Sequence, residues 1–106
     1  MKELKTWAGR SSFKYDGSVA KGTNILYGSN FKFTTEISSD QYEKLFDNFR
    51  GKTVSIGTSR TSPPIGSLGE WLQQNVNRTA LASYIGAILV SERYAIKNGD
   101  EIKILG

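Results

Sequence analysis

Six aromatic residues, Trp7, Phe13, Tyr15, Tyr27, Phe31 and Phe33, are interleaved with Lys5, Arg10, Lys14, Lys21 and Lys32 in the first third of the chain. Aromatic faces stack unpaired bases and cations track phosphates, so residues of these types suit single-stranded nucleic acid. A strand exposed on one side has the same spacing for a simpler reason, with aromatics turned inward and lysines outward. Both readings stand at this level. A second candidate is Gly57–Gly66, where Thr58, Ser59, Thr61 and Ser62 place hydroxyl donors around the planar guanidinium of Arg60. Ser67 then opens a helix whose first N–H groups attract negative charge, so the segment has the donors to hold an anion. It lacks the Gly-Lys-Ser/Thr ending of a P-loop. Pro63-Pro64 instead suits an extended segment presented to a partner.

Other chemistries lack their reagents. The chain has no His and no Cys, which removes the usual general base near neutral pH, thiolate nucleophiles, disulfides and the commonest metal ligands. Catalysis would rest on carboxylates, Lys or Tyr, so a non-enzyme is expected, with no cofactor and no metal. Asp40, Glu43 and Asp47 stand at helical spacing and could share a face, as a magnesium site would need. Acids in the first turns of a helix are ordinary partners of its dipole, and that reading is preferred. Met1–Arg10 has no apolar stretch of the signal-peptide kind, and no segment approaches the roughly 18 apolar residues of a membrane span. The expectation is a cytoplasmic protein with no membrane partner.

These residues need elements to hold them. At 106 residues, 38% hydrophobic and 23% charged, the chain suits one core and hence a single domain, 1–106. Phe13 and Tyr15 alternate with Ser12 and Lys14 as in a strand, and Asp16-Gly17 follows as a turn signal. Ile25–Tyr27 is a second short strand. Phe31, Phe33, Thr35 and Ile37 then share one face of a third, the clearest in the chain. Ser38 with Gln41 forms a capping box ahead of Tyr42, Leu45, Phe46 and Phe49, a one-sided helical stripe closed by Gly51. Lys52–Ile56 reads as a strand, and Gly57–Gly66 as a loop.

Ser67-Leu68-Gly69-Glu70 matches a second capping box, with Leu68, Trp71, Leu72 and Val76 on one helix face. Asn77 caps a further helix, from Arg78 or Thr79 to about Arg93, which is apolar on most sides and belongs at the centre of the fold. Tyr94–Ile96 and Ile102–Ile104 form a hairpin around Asn98-Gly99. A three-residue turn through Asp100 would set Ile96 opposite Ile102, Tyr94 opposite Ile104 and Lys97 opposite Glu101, and it is preferred to an Asn98-Gly99 turn. The fold class is thus α+β, a small antiparallel sheet with about three helices. From Ser67 on, the helix–turn–helix–hairpin order resembles the second half of a winged-helix module, in which the second helix enters the major groove.

Charge separates these options. Residues 1–38 carry six Lys/Arg and three acids, residues 39–66 four and three, and residues 67–106 four and four. The positive excess lies away from the winged-helix-like part, whose second helix bears only Arg78 near its start, so that part reads as scaffold. The expected function is a non-enzymatic binding module for nucleic acid, through Phe13, Lys14, Tyr15, Lys32, Arg50, Lys52 and Arg60 and the 57–66 loop. The alternative is a protein–protein module, a small subunit, inhibitor or adaptor, using the 58–65 loop or the edge of the C-terminal hairpin.

Overall fold

A computed structural model describes all 106 residues and contains two antiparallel sheets and three α-helices. The first sheet is a meander of β1 (Lys2–Lys5), β2 (Ser12–Ser18), β3 (Gly22–Tyr27) and β4 (Phe33–Ile37), paired in that order. Then come α1 (Ser39–Phe49), β5 (Thr53–Ser55), α2 (Leu68–Asn75), α3 (Ala82–Ser91), β6 (Ala95–Asn98) and β7 (Glu101–Ile104). The second sheet has the order β5-β7-β6. The antiparallel sheet expected from the sequence is therefore two sheets, and β1 was not foreseen. No helix is long and apolar enough to cross a membrane.

Local signals set most helix ends. Ser38 accepts from Gln41 N–H at 3.1 Å while the Gln41 side chain accepts from Ser38 N–H at 2.8 Å, a complete capping box. Tyr42, Leu45 and Phe49 turn that helix's stripe into the core. At α2 only half of the box forms. Ser67 Oγ accepts from Glu70 N–H, but the Glu70 carboxylate takes the N–H of Gly66, at 3.0 Å.

Three expected boundaries shift. Strand β2 runs through Asp16-Gly17 to Ser18, with Gly17 opposite Thr23, because the turn lies further on. A 3-10 turn occupies Ser29–Phe31, so β4 starts at Phe33 rather than Phe31. Helix α3 begins at Ala82, since Asn77 Oδ1 accepts from Thr79 N–H and closes a local turn instead of capping a helix. At its other end Arg93 takes the left-handed conformation, and Tyr94 N–H reaches Leu89 O at 2.8 Å.

The hairpin register also differs from both options considered. Asn98 faces Glu101, Lys97 faces Ile102 and Ala95 faces Ile104, across a Gly99-Asp100 turn. Ile96 consequently points outward and is half exposed, while Ile102 and Ile104 are buried. Lys97 shares their side, and its ammonium lies 4.7 Å from the centroid of the Trp7 ring and donates to the Trp7 carbonyl. Its aliphatic stem belongs to the apolar side, and pairing with Glu101 is given up for that contact.

One cluster of 20 buried apolar residues joins both sheets and all three helices. Helix α3 lies against both sheets, which its apolar circumference requires. Gly86 sits at the closest point, where an added Cβ would lie 2.7 Å from Ile56 Cδ1 and 2.9 Å from Trp7 Cε3. Trp7 also donates to Gly99 O through its indole at 3.2 Å and to Ser83 O through its backbone at 3.0 Å, tying α3 and the hairpin to the first sheet. Glu92, just past α3, accepts from Tyr15 OH at 2.7 Å and Val19 N–H at 3.0 Å.

Candidate functional site

Four separate segments converge on an open cleft of about 510 Å³, lined by Tyr27, Gly28, Phe33, Arg60, Arg78, Thr79, Ala80 and Tyr84. The volume lies within the range typical of ligand sites. Tyr27 and Phe33 face each other across β3 and β4, with ring centroids 5.7 Å apart. Tyr84 of α3 lies 5.0 Å from Tyr27, and buried Phe13 meets Tyr84 edge-on at 5.2 Å. These contacts make a continuous row of rings. Its inner end is anchored in the core, and Phe33 is 51% exposed at the outer end.

Arg60 and Arg78 supply the charge. No acidic residue lines the cleft, and neither arginine is in an ion pair; the salt bridges are Met1–Asp16, Lys2–Glu92 and Arg50–Asp47. Tyr84 is held above the ordinary tyrosine pKa of 10.0 by burial first and by neighbouring Tyr27 second, with Arg60 opposing both. It therefore presents a neutral ring and a hydroxyl at neutral pH. Arg60 is held by its backbone. The Gln73 side chain donates to Arg60 O at 3.0 Å, and Ser59 Oγ accepts from Thr61 and Ser62 N–H groups, closing the loop on itself. Arg78 follows Asn77, whose amide donates to Thr35 Oγ1 at 3.0 Å and so ties that turn to β4.

The residues expected to bind are only partly brought together. Phe13 and Tyr15 are fully buried, so neither can stack a base; alternation along β2 puts them in the core, and the simpler reading of the aromatic pattern holds there. Lys14 lies on the opposite side of β2, its Nζ 4.6 Å from the centroid of the Phe31 ring. Lys32 Nζ is 5.4 Å from the centroid of the Phe33 ring, at the cleft's rim. Arg50 pairs with Asp47 at 4.0 Å, and Lys52 is hydrogen-bonded through its backbone to Ile104; neither lines the cleft.

Of the loop residues, Arg60 and Thr61 line hollows, whereas Ser59 closes its own turn. The anion site expected at the start of α2 is already filled, because Ser67 is buried and Glu70 occupies that helix end. Asp40, Glu43 and Asp47 do not join any group of three or more His, Cys, Asp or Glu able to hold a metal. Sequence reasoning missed Tyr84 and Arg78 as partners of Arg60. Their only local signal is the turn at Asn77, which sets both beside the sheet. No protein-family model, curated protein or solved structure matches the chain.

Proposed function

We propose that this chain is a non-enzymatic binding module that holds single-stranded nucleic acid in the Tyr27–Phe33–Tyr84 cleft, with Arg60 and Arg78 on the phosphate and Lys32 at the rim. The observation that carries this reading is the convergence of three aromatic rings and two arginines free of ion pairs in one open cleft without a carboxylate. Rings of this kind stack any base, and unpaired guanidinium groups favour a phosphate over a neutral ligand. Burial of Phe13 and Tyr15 moves the stacking surface from β2 to the far end of β3 and β4, and Arg60 keeps its assigned role.

A winged-helix-like relation belongs to the same proposal. The succession α1, β5, α2, α3, β6, β7 and the sheet order β5-β7-β6 support it. Major-groove reading by α3 gains no support, because Trp7 and Ile56 cover that helix at Gly86 and the first sheet covers it at Tyr84 through Phe13 and Tyr27. The protein–protein alternative draws on Ile65, 95% exposed at the end of the 58–65 loop, and on half-exposed Ile96 along the outer strand β6. Titration with single- and double-stranded DNA and RNA at increasing salt tests the proposal. Single strands are expected to bind more tightly than duplexes, with affinity falling as salt rises; no salt-dependent binding to any of them would overturn it.

A further inference from the structure

Arg60 and Arg78 line a second hollow as well, of about 520 Å³, completed by Thr61, Gln73 and Gln74. Two hollows of opposite character therefore meet at one pair of cations. The first is walled by aromatic rings. The second is lined by no hydrophobic residue, and its threonine and glutamine side chains both donate and accept hydrogen bonds while its arginines donate. Gln73 has its amide N–H group committed to the Arg60 carbonyl, so its position is fixed with that of the loop. Exposed Gln74 keeps an amide on the hollow's surface.

Building on the nucleic-acid reading, we infer that the bound unit is a single dinucleotide step: one base stacks in the aromatic hollow, the linking phosphate sits between Arg60 and Arg78, and the next nucleotide lies over Thr61, Gln73 and Gln74. The order apolar plane, anion, polar edge is that of base, phosphate and neighbouring base edge along a single strand. Extended backbone tracking, with Lys14 and Lys32 as further phosphate contacts, is the competing footprint. The two differ in salt dependence. One phosphate neutralised gives a slope of log K against log salt near about −0.7, whereas three or four would give about −2 to −3.

Calorimetric titration of the full chain with a mononucleotide, a dinucleotide, a tetranucleotide and a decanucleotide, as both DNA and RNA, tests the footprint. Affinity is expected to rise about tenfold or more from mononucleotide to dinucleotide. It should then rise by no more than about ninefold to the decamer, the factor set by its overlapping dinucleotide positions. Gln74→Ala is expected to weaken the dinucleotide by about tenfold and to leave the mononucleotide unchanged. Its melting curve should match the parent's, as befits an exposed residue. Affinity that climbs steeply through the decamer with a slope near about −3 overturns the dinucleotide footprint and leaves nucleic-acid binding standing. Failure of every oligonucleotide to bind at low salt overturns both.

Discussion

Replacing Gly69 with alanine tests how the loop carrying Arg60 is held. A Cβ at Gly69 would stand 1.7 Å from Gly57 O, where ordinary contact begins at 3.4 Å, so helix α2 and the loop must part by about half that contact distance. The obstacle is backbone, which cannot swing aside as a side chain does. Parting them breaks the 3.0 Å hydrogen bond from Gly69 N–H to Ile56 O. Leaving those groups unpaired costs about 1–3 kcal/mol, and residual overpacking adds about 1–3 kcal/mol. Alanine's better helix propensity offsets at most about 1 kcal/mol. The net loss is about 2–4 kcal/mol, which lowers the melting temperature by on the order of 10–20 °C in a chain of this length. Thermal and urea unfolding followed by circular dichroism reads this directly. Gly86→Ala is the comparison, because its nearest obstacle is the flexible end of Ile56 at 2.7 Å and the Trp7 ring is met less deeply, at 2.9 Å, than the Gly57 carbonyl is at Gly69; its loss should be smaller, about 1–2 kcal/mol. A Gly69→Ala protein that melts at or above the parent temperature would refute the reasoning, as would a Gly86→Ala protein that is the less stable of the two.

Removing the Glu92 carboxylate with alanine strips the acceptor from Tyr15 OH and Val19 N–H and should cost about 2–4 kcal/mol in urea unfolding, with Glu92→Gln retaining much of it. Equal stability of the alanine variant and the parent would contradict that network. The hairpin register makes Ile96→Lys neutral within about 0.5 kcal/mol and Ile102→Ala costly by about 2–5 kcal/mol; a loss for Ile96→Lys as large as that for Ile102→Ala would restore the three-residue turn, which buries both on one face. Tyr15 and Tyr42 are both pushed well above the ordinary value of 10.0, by burial first, with the Glu92 hydrogen bond reinforcing the shift at Tyr15 and the Thr23 bond opposing it at Tyr42. Above pH 10 the unfolded chain releases these protons while the folded chain keeps them. Their contribution to stability is therefore full below pH 10 and is lost as pH rises beyond it, at about 1.4 kcal/mol per pH unit for each. Tyrosinate absorbance should show a late-titrating class in the native protein, and uniform titration near pH 10 would contradict it.

Where the relevant physics was local, it was legible. The Ser38–Gln41 box and the Tyr42–Leu45–Phe49 stripe specify α1 from neighbouring residues alone, and the helix forms where the pattern puts it. The apolar circumference of α3 likewise announced a helix packed on more than one side. Alternation in Phe13 and Tyr15 announced a strand but could not say which side faces inward, and that choice removed both residues from the binding surface. The hairpin register was decided by Lys97 covering Trp7, a contact across 90 positions of chain that no pairing rule for adjacent strands contains. The cleft escaped for the same reason. Tyr27, Arg60, Arg78 and Tyr84 belong to a strand, a loop, a turn and a helix, and only the packing of α3 against the first sheet brings them together. Tyr27 and Phe33 were visible beforehand only as members of an aromatic pattern, and Arg60 because a long hydroxyl-rich loop with one guanidinium stands out in any context; Arg78 and Tyr84 were not.

The most direct test of the cleft is to titrate one single-stranded oligonucleotide at low salt into the parent and into the Arg60→Ala/Arg78→Ala double variant, with melting curves confirming that both are folded. Both arginines are exposed, so the fold should tolerate their loss. The parent is expected to bind with an affinity that falls as salt is raised, and the double variant to bind at least about tenfold more weakly with a shallower salt slope. Equal affinity and equal salt slope for the two proteins, or no binding by the parent, would contradict the assignment of this cleft to nucleic acid.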